Sequence, residues 1–332
     1  MAIFIKSLKE HGLLDSLQMT VGIVGSRKLS EQDDYGQQGW HYFGQNLTIY
    51  GFDADTEACE VANAEIAARS DVTWNEIHIP LALGRSCGEQ TLYVTNEPMC
   101  SSLYPPNEQF MARFDGLKEM AGLDFEVEIE TTTLDQFCES ESIEEIDFLQ
   151  IDVQGADLDV LHGAIHLLSR SVLGIQIEVE FAELYKGQPL FADIDTFLRK
   201  QNFSLFDLCR SYLRRVSAPI TSAAHPGQIL WGEGFYLRDL LSGNDGLLKF
   251  QSPQQLLKLA CITDILDFTD YTVEILEHLM LQETPENKRL FATVIVESFS
   301  RLGVEYDRDF SDLPVIQRIL STFDDMQFPC QG

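Results

Sequence analysis

Up to about position 240, short apolar runs alternate with segments that have the apolar spacing of helices. Strand-like runs occupy residues 19–26, 47–55 and 146–152, and apolar residues at i, i+3 and i+4 follow the second and third. Further runs that favour β structure lie at residues 72–84, 91–96, 127–137, 172–181, 203–208 and 228–240. Because strands that alternate with helices are joined by right-handed crossovers, this order predicts an α/β protein with a mainly parallel sheet.

The last two runs are separated by a long connection and predict an antiparallel pair at one edge of the sheet. From about residue 244 the pattern changes, because residues 253–266, 271–281, 287–302 and 314–323 show only helical spacing. We therefore predict an α/β domain over residues 1–243 and an all-helical extension over residues 244–332. The extension is expected to cap the sheet or to form a homo-oligomer surface, and a role in substrate binding is the alternative.

Two acidic residues stand at strand ends, Asp53 after the second strand and Asp152 before a glycine turn and a helix. Open α/β sheets bind ligands at the carboxyl ends of their strands, so this pair predicts a nucleotide-like cofactor. Asp53 is expected to accept hydrogen bonds from the two ribose hydroxyls. The alternative is that Asp53 or Asp55 only caps the following helix.

The formal net charge of −30 argues against nucleic acid as a partner, since such binding depends on clustered lysine and arginine. The seven cysteines form no CxxC pair, which indicates neither a disulfide framework nor a zinc site. No apolar stretch approaches the ~20 residues of a membrane span, and no basic segment with a long apolar run begins the chain. The sequence therefore predicts a cytoplasmic protein.

The turn after the first strand carries Gly22, Gly25 and Ser26 but no G-x-G-x-x-G pattern. A dinucleotide cofactor needs that pattern, because its pyrophosphate must approach the backbone at a helix N-terminus. A nicotinamide or flavin enzyme is therefore disfavoured. A cofactor without a pyrophosphate, such as S-adenosylmethionine, needs less of this loop.

Residues 146–164, IDFLQIDVQGADLDVLHGA, resemble the signature of the FkbM family of S-adenosylmethionine-dependent methyltransferases. Five further segments are similar to that family in order and spacing: TTTLDQF, YGFDAD with Cys59 after it, PLALG, residues 91–107 and ILWGEGFYLRDL. The resemblance covers roughly residues 20–240 and implies a Rossmann-like, seven-stranded methyltransferase sheet. It also implies S-adenosylmethionine as methyl donor and S-adenosylhomocysteine as product.

The family activity implies methylation of a hydroxyl group on a sugar, a glycan or a small secondary metabolite. The chain departs from the family pattern at Ile23, where the first strand usually has an acid, and at Gln150, Gln154 and Asp157. The missing acid favours an alternative hypothesis, a catalytically silent interaction module that binds a partner through the helical tail.

Asp152 is our first candidate for general base or cofactor anchor, with Glu178 and Glu180 as neighbours that share one strand face. These three carboxylates could instead hold a hard divalent cation, or the two glutamates could be structural. We predict no metal. The predicted cofactor-binding residues are Gly25, Ser26, Asp53, Ala54, Leu83, Asp152 and Val153, and the predicted substrate-binding residues are Ser101, Ser102, Tyr104, Gln154, Tyr185 and Trp231.

Overall fold

The computed structural model describes residues 2–28, 34–37 and 39–323. Ten strands follow one another along the chain: β1 (Met19–Val24), β2 (Leu47–Asp53), β3 (Asn75–Pro80), β4 (Ala82–Leu83), β5 (Gly88–Thr95), β6 (Leu123–Thr132), β7 (Phe148–Ile151), β8 (Gly174–Glu180), β9 (Ser204–Leu213) and β10 (Gln228–Leu237). Seven of them form the central sheet in the order β3-β2-β1-β7-β8-β10-β9, and β4-β6-β5 form a small second sheet.

The strand directions confirm the predicted seven-stranded, mostly parallel sheet. Strands β3, β2, β1, β7 and β8 are parallel, with Ile23 of β1 opposite Gln150 of β7. Strand β10 is antiparallel to both β8 and β9, as the pattern at residues 203–240 predicted. The strand runs at residues 91–96 and 127–132 belong to the small sheet instead, where β5 and β6 pair as an antiparallel hairpin.

Helices connect these strands and continue beyond the sheet: α1 (Ile5–Glu10), α2 (Thr56–Ala68), α3 (Glu108–Met111), α4 (Leu117–Ala121), α5 (Leu134–Ser140), α6 (Asp157–His162), α7 (Ile165–Arg170), α8 (Phe191–Lys200), α9 (Pro253–Ile265), α10 (Thr269–Gln282), α11 (Pro285–Tyr306) and α12 (Pro314–Thr322). The last four confirm the predicted C-terminal helices. None of the helices in the described part of the chain has both the length and the apolar composition that a bilayer span needs.

Helix α9 packs directly on the central sheet. Its residues 256–264 are all buried, Ile262 lies against Gly174 of β8, and the Lys258 Nζ donates a 2.8 Å hydrogen bond to Asp147 before β7. Between β1 and β2 the described residues form a 3-10 helix, Trp40–Asn46, but no α-helix. Helix α9 thus packs against one face of the central sheet. The apolar cluster that includes it contains residues from Phe4 to Ile319, on both sides of the predicted boundary at residue 244.

The two faces of β8 have different surroundings, since one packs against helices and the other carries two acids. Ile175, Ile177 and Val179 are buried in the second apolar cluster together with residues of α6, α7 and α8. Because side chains alternate along a strand, Glu178 and Glu180 point to the opposite face, near the carboxyl ends of the strands. The fold therefore brings these acids to the edge at which ligands bind in open α/β sheets.

Candidate functional site

A cavity of about 580 Å³ opens at the carboxyl ends of β1, β2 and β7. The small sheet and the loop at residues 95–103 cover it. Its volume lies in the range of small-molecule and cofactor sites. Asp53 and Asp152, the two strand-end acids of the sequence, both line it.

The strand ends meet closely at Gly25, the residue that follows β1. Its φ is +83°, and a Cβ atom there would lie 1.9 Å from the carbonyl oxygen of Asp152. Its N–H and that of Ser26 donate to the carbonyl of Phe52, at 2.8 and 2.9 Å. Only glycine fits this conformation and this contact, so the turn keeps its backbone at the floor of the cavity. This half-buried glycine carries no side chain into the cavity, which fits a bound adenosyl cofactor.

Asp53 and Asp55 have different roles at the end of β2. Asp55 caps helix α2, because its Oδ1 accepts from the N–H groups of Glu57 and Ala58 at 2.9 and 3.1 Å. Asp53 does not cap the helix; its Oδ1 accepts from the N–H of Asp55 at 2.8 Å, and its carboxylate faces the cavity. Burial raises the pKa of Asp53 above its usual value.

The turn after β7 is held by a buried acid, Asp157. Gln154 and Gly155 both have positive φ, 53° and 90°, and the Asp157 carboxylate accepts from the N–H groups of Val153 and Gly155 at 3.0 and 2.9 Å. Burial and the charge of Asp152 raise the pKa of Asp157 to about 7. Asp157 therefore fixes the backbone that presents Asp152 to the cavity.

Asp152 belongs to a group of carboxylates that extends behind the cavity wall. The Gln154 side-chain amide donates to Asp152 Oδ1 and to Glu178 Oε2, both at 2.8 Å. Burial, and then the charge of Asp152, raises the pKa of Glu178 well above its usual value. Burial, and then the charge of Asp157, does the same for Glu180. The two buried glutamates therefore favour their neutral forms, and Asp152 is the exposed member of the group.

Of the three predicted catalytic acids, the structure brings only Asp152 to the cavity surface. Glu178 lies behind Gln154, and Glu180 is 1 % exposed. Neither carboxylate oxygen of Glu180 makes a hydrogen bond within the part of the chain that the structure describes. Across residues 2–28, 34–37 and 39–323, no group of three His, Cys, Asp or Glu side chains is arranged to hold a metal ion.

Most of the other predicted residues line the cavity: Gly25, Ala54, Leu83 and Val153 of the cofactor set, and Ser101, Ser102 and Gln154 of the substrate set. Ser102 reaches it from the covering loop, where its hydroxyl donates to the Gln154 carbonyl at 2.6 Å. Their predicted roles remain predictions, but the strands and the loop bring these residues together.

Ser26 is the exception in the cofactor set, because its side chain turns away from the cavity. Its hydroxyl contacts His78 Nδ1 at 2.9 Å, and His78 Nε2 lies 3.1 Å from Glu76. Burial alone would raise the pKa of Glu76, but hydrogen bonds from His78, Lys28 and Trp74 hold it at about 2. This buried chain ties the turn after β1 to β3, so the Ser26 hydroxyl is occupied within the protein.

Three residues of the predicted substrate set also lie outside the cavity lining. Tyr104 lines a second cavity of about 380 Å³ and donates to Asp159 at 2.8 Å, and burial with this bond raises its pKa to about 12. Tyr185 is buried, and its hydroxyl lies within hydrogen-bond distance of the Cys100 carbonyl and Gln154 Oε1. Trp231 packs against the same apolar cluster as Tyr185. Tyr185 therefore contacts the site indirectly, through Gln154 and through the covering loop at Cys100.

Sequence reasoning missed two parts of the lining. Arg27 lines the cavity and forms an ion pair with Asp55. The small sheet contributes an apolar wall, formed by Leu92, Val94, Phe125, Val127 and Ile129. The alternation of apolar residues with Glu126, Glu128 and Glu130 along β6 was a signal for this two-faced strand.

Comparison with known proteins agrees with this geometry. Residues 42–205 match the sequence model of a family described as the methyltransferase FkbM domain. This part of the chain is an FkbM methyltransferase domain. The matched segment contains Asp53, Asp152 and the whole covering loop, and the resemblance identified from the sequence is confirmed.

A curated relative of the chain is the 2-O-methyltransferase NoeI of Sinorhizobium fredii, 37% identical over 90 residues. The match covers 27% of this chain and spans only 33% of that protein's length.

Among solved structures, a methyltransferase FkbM from Methylobacillus flagellatus is similar with a TM-score of 0.35 and 8% identity, over 65% of this chain and 43% of that one. Magnesium protoporphyrin IX methyltransferase of Synechocystis, solved with S-adenosylmethionine, has a TM-score of 0.33 and 12% identity, over 70% and 81%.

Proposed function

We propose that this protein transfers the methyl group of S-adenosylmethionine to a hydroxyl group of a small-molecule or glycan acceptor. The observation that carries the proposal is the shared cavity of Asp53 and Asp152, which lies at the carboxyl ends of neighbouring strands within the FkbM domain. The oxygen specificity is supported by the name of the relative, a 2-O-methyltransferase.

The residues that line the cavity fit the parts of an adenosyl cofactor. Asp53 would accept hydrogen bonds from the ribose hydroxyls, since its carboxylate faces the cavity and is not the cap of α2. Leu83 and Ala54 offer apolar contacts, and the backbone at Gly25 and Val153 lies open beside them. When bound, the cofactor supplies an activated methyl group on a sulfonium ion.

Asp152 would remove the proton of the acceptor hydroxyl as the bond between oxygen and the methyl carbon forms and the bond between sulfur and that carbon breaks, with S-adenosylhomocysteine as the leaving group. It is the exposed member of the carboxylate group, and the Gln154 amide holds its Oδ1 at 2.8 Å. Glu178 accepts from the same amide and therefore fixes Gln154. Because the pKa values of Glu178 and Glu180 are raised, these acids remain neutral more readily and leave Asp152 as the base.

The acceptor is proposed to be a sugar, a glycan or a small secondary metabolite. The lining supports an acceptor with an apolar part, because Phe125 and Val127 of the small sheet are 53% and 40% exposed beside the cavity. Ser101 and Gln154 provide polar groups on the other side. This combination suits a hydroxyl group attached to an apolar skeleton.

Isothermal titration with S-adenosylmethionine and S-adenosylhomocysteine tests the proposal, followed by a screen of acceptors with a tritiated methyl donor. We expect both nucleosides to bind in the micromolar range that is ordinary for enzyme ligands. If neither binds at millimolar concentration, the methyltransferase proposal is wrong. The chain would then be the cofactor-free interaction module, with the exposed Leu281, Val304 and Tyr306 of the C-terminal helices as its docking or self-association surface.

A further inference from the structure

The electrostatic character of the cavity is strongly unbalanced. In the part of the chain that the structure describes, its lining contains the acids Asp53, Asp55, Asp124 and Asp152. Among the described lining residues, Arg27 is the only arginine or lysine. Such a site suits the sulfonium and ammonium groups of S-adenosylmethionine, but the same ligand also carries a carboxylate. That carboxylate needs a positive partner, because it would otherwise face only like charges.

In many α/β folds the N-terminus of the helix after β1 supplies positive charge to an anionic ligand group. Here the described residues between β1 and β2, which are 25–28, 34–37 and 39–46, contain no α-helix. None of these described residues places the N-terminus of an α-helix at the turn at Gly25. Among the described lining residues, positive charge comes instead from the side chain of Arg27, two residues after Gly25.

Arg27 is held in place for this task. One nitrogen of its guanidinium donates to Asp55 Oδ2, and Asp55 is itself fixed as the N-cap of α2. The backbone before Arg27 is fixed as well, because Gly25 and Ser26 both donate to the Phe52 carbonyl. A guanidinium has five N–H donors in one plane. Because Asp55 accepts from only one of its nitrogens, the remaining N–H groups can form two parallel hydrogen bonds to a carboxylate.

We propose that Arg27 binds the carboxylate of S-adenosylmethionine and makes the site selective for adenosyl ligands that carry this group. The inference rests on the proposed function. Arg27 is a binding residue in this scheme, and it takes no part in proton transfer. The predicted ligand chemistry is a carboxylate attached to an adenosyl thioether or sulfonium.

The test compares two ligands that differ only in the carboxylate, S-adenosylmethionine and its decarboxylated form, by isothermal titration. Charge-assisted hydrogen bonds of this kind correspond to about 10- to 100-fold in affinity. The wild type should therefore bind the carboxylated ligand about 10- to 100-fold more tightly. Arg27→Gln should lose most of this preference while its affinity for the decarboxylated ligand stays within about 3-fold.

Two further variants separate a specific contact from a general loss of charge or of folding. Arg85→Gln is the matched control, because Arg85 also pairs with an aspartate, Asp159, but lies outside the larger cavity. It should keep the wild-type preference. Arg27→Lys keeps the charge without the planar fork and should retain part of the preference.

Equal affinity of the wild type for the two ligands would overturn the inference and leave the methyltransferase proposal intact. A parallel loss of both affinities in Arg27→Gln would also overturn it, since that is the behaviour of a residue that only shapes the turn. If the wild type binds neither ligand, the proposed function itself fails, and the inference fails with it.

Discussion

Replacement of Asp157 by asparagine should change how the free energy of unfolding depends on pH, because the structure buries this carboxyl group. Asp157 is fully buried, and it holds the turn that presents Asp152. Asparagine keeps the shape and one acceptor oxygen but removes the titratable proton. Its amide leaves one of the two N–H contacts unmade, which costs about 1–3 kcal/mol at every pH. The informative quantity is therefore the pH dependence of this difference, not its size at one pH.

The sign follows from the raised pKa of Asp157, about 7 instead of the ordinary 3.8. Between these values the folded protein holds a proton at this site and the unfolded chain does not. Unfolding then releases a proton, so the free energy of unfolding of the wild type falls by about 1.4 kcal/mol for each pH unit. Asp157→Asn lacks this contribution. The variant should therefore gain about 2 kcal/mol relative to the wild type between pH 5 and pH 7.

Urea unfolding followed by tryptophan fluorescence at pH 5, 6, 7 and 8 measures both free energies. Ser102→Ala is the matched control, because it removes a hydrogen bond to the same turn, from its hydroxyl to the Gln154 carbonyl, without removing a titratable group. Its difference from the wild type should not change with pH. A difference between Asp157→Asn and the wild type that is equally constant, within about 0.5 kcal/mol, would refute the burial argument for Asp157.

Four other substitutions test the site and the core. Asp53→Ala should weaken binding of S-adenosylmethionine about 10- to 100-fold in a titration, and a change below about 2-fold would contradict its ribose role. Asp152→Asn should lower kcat about 100-fold or more with a smaller change in the acceptor KM, and equal modest losses of both would count against a general base. Gly25→Ala should abolish cofactor binding and lower the melting temperature, because its Cβ would meet a carbonyl oxygen at 1.9 Å. Arg238→Met should cost about 3 kcal/mol or more in urea unfolding, since the buried guanidinium donates to three backbone carbonyls; a cost below about 1 kcal/mol would show that water satisfies them.

Much of the central sheet was determined by local sequence pattern. Strands β1 and β7 at the centre of the parallel part are short and mainly apolar, because a strand covered on both faces needs apolar side chains in both directions. The acids Asp53 and Asp152 could be placed at one edge of the sheet for a similar reason. In parallel strands the carboxyl ends coincide, so a residue at a strand end has only one edge on which to lie.

The local sequence pattern did not predict which helices and strands pack against the central sheet and over the cavity. The spacing in residues 253–266 predicted a helix, and a cap on the sheet was one of two expectations for the extension, but the pattern did not show that α9 is the helix that packs on the central sheet. Its burial depends on Gly174, whose missing side chain leaves room for Ile262. Likewise, the pattern in residues 91–96 and 127–132 indicated strands without showing that they form a separate sheet over the cavity. Pairing partners far apart in sequence are selected by packing, which a local pattern does not contain.

The positions of some functional side chains followed from the sequence, and those of others depended on the tertiary structure. The sequence by itself determined that β8 carries Glu178 and Glu180 on one face, since alternation is a property of the strand alone. Only the tertiary structure decided that Gln154 separates Glu178 from the cavity, that Ser26 turns to His78, and that Arg27 faces the ligand space. Exposure and charge environment arise from neighbours that distant segments bring together, and these neighbours exist only once the chain has folded.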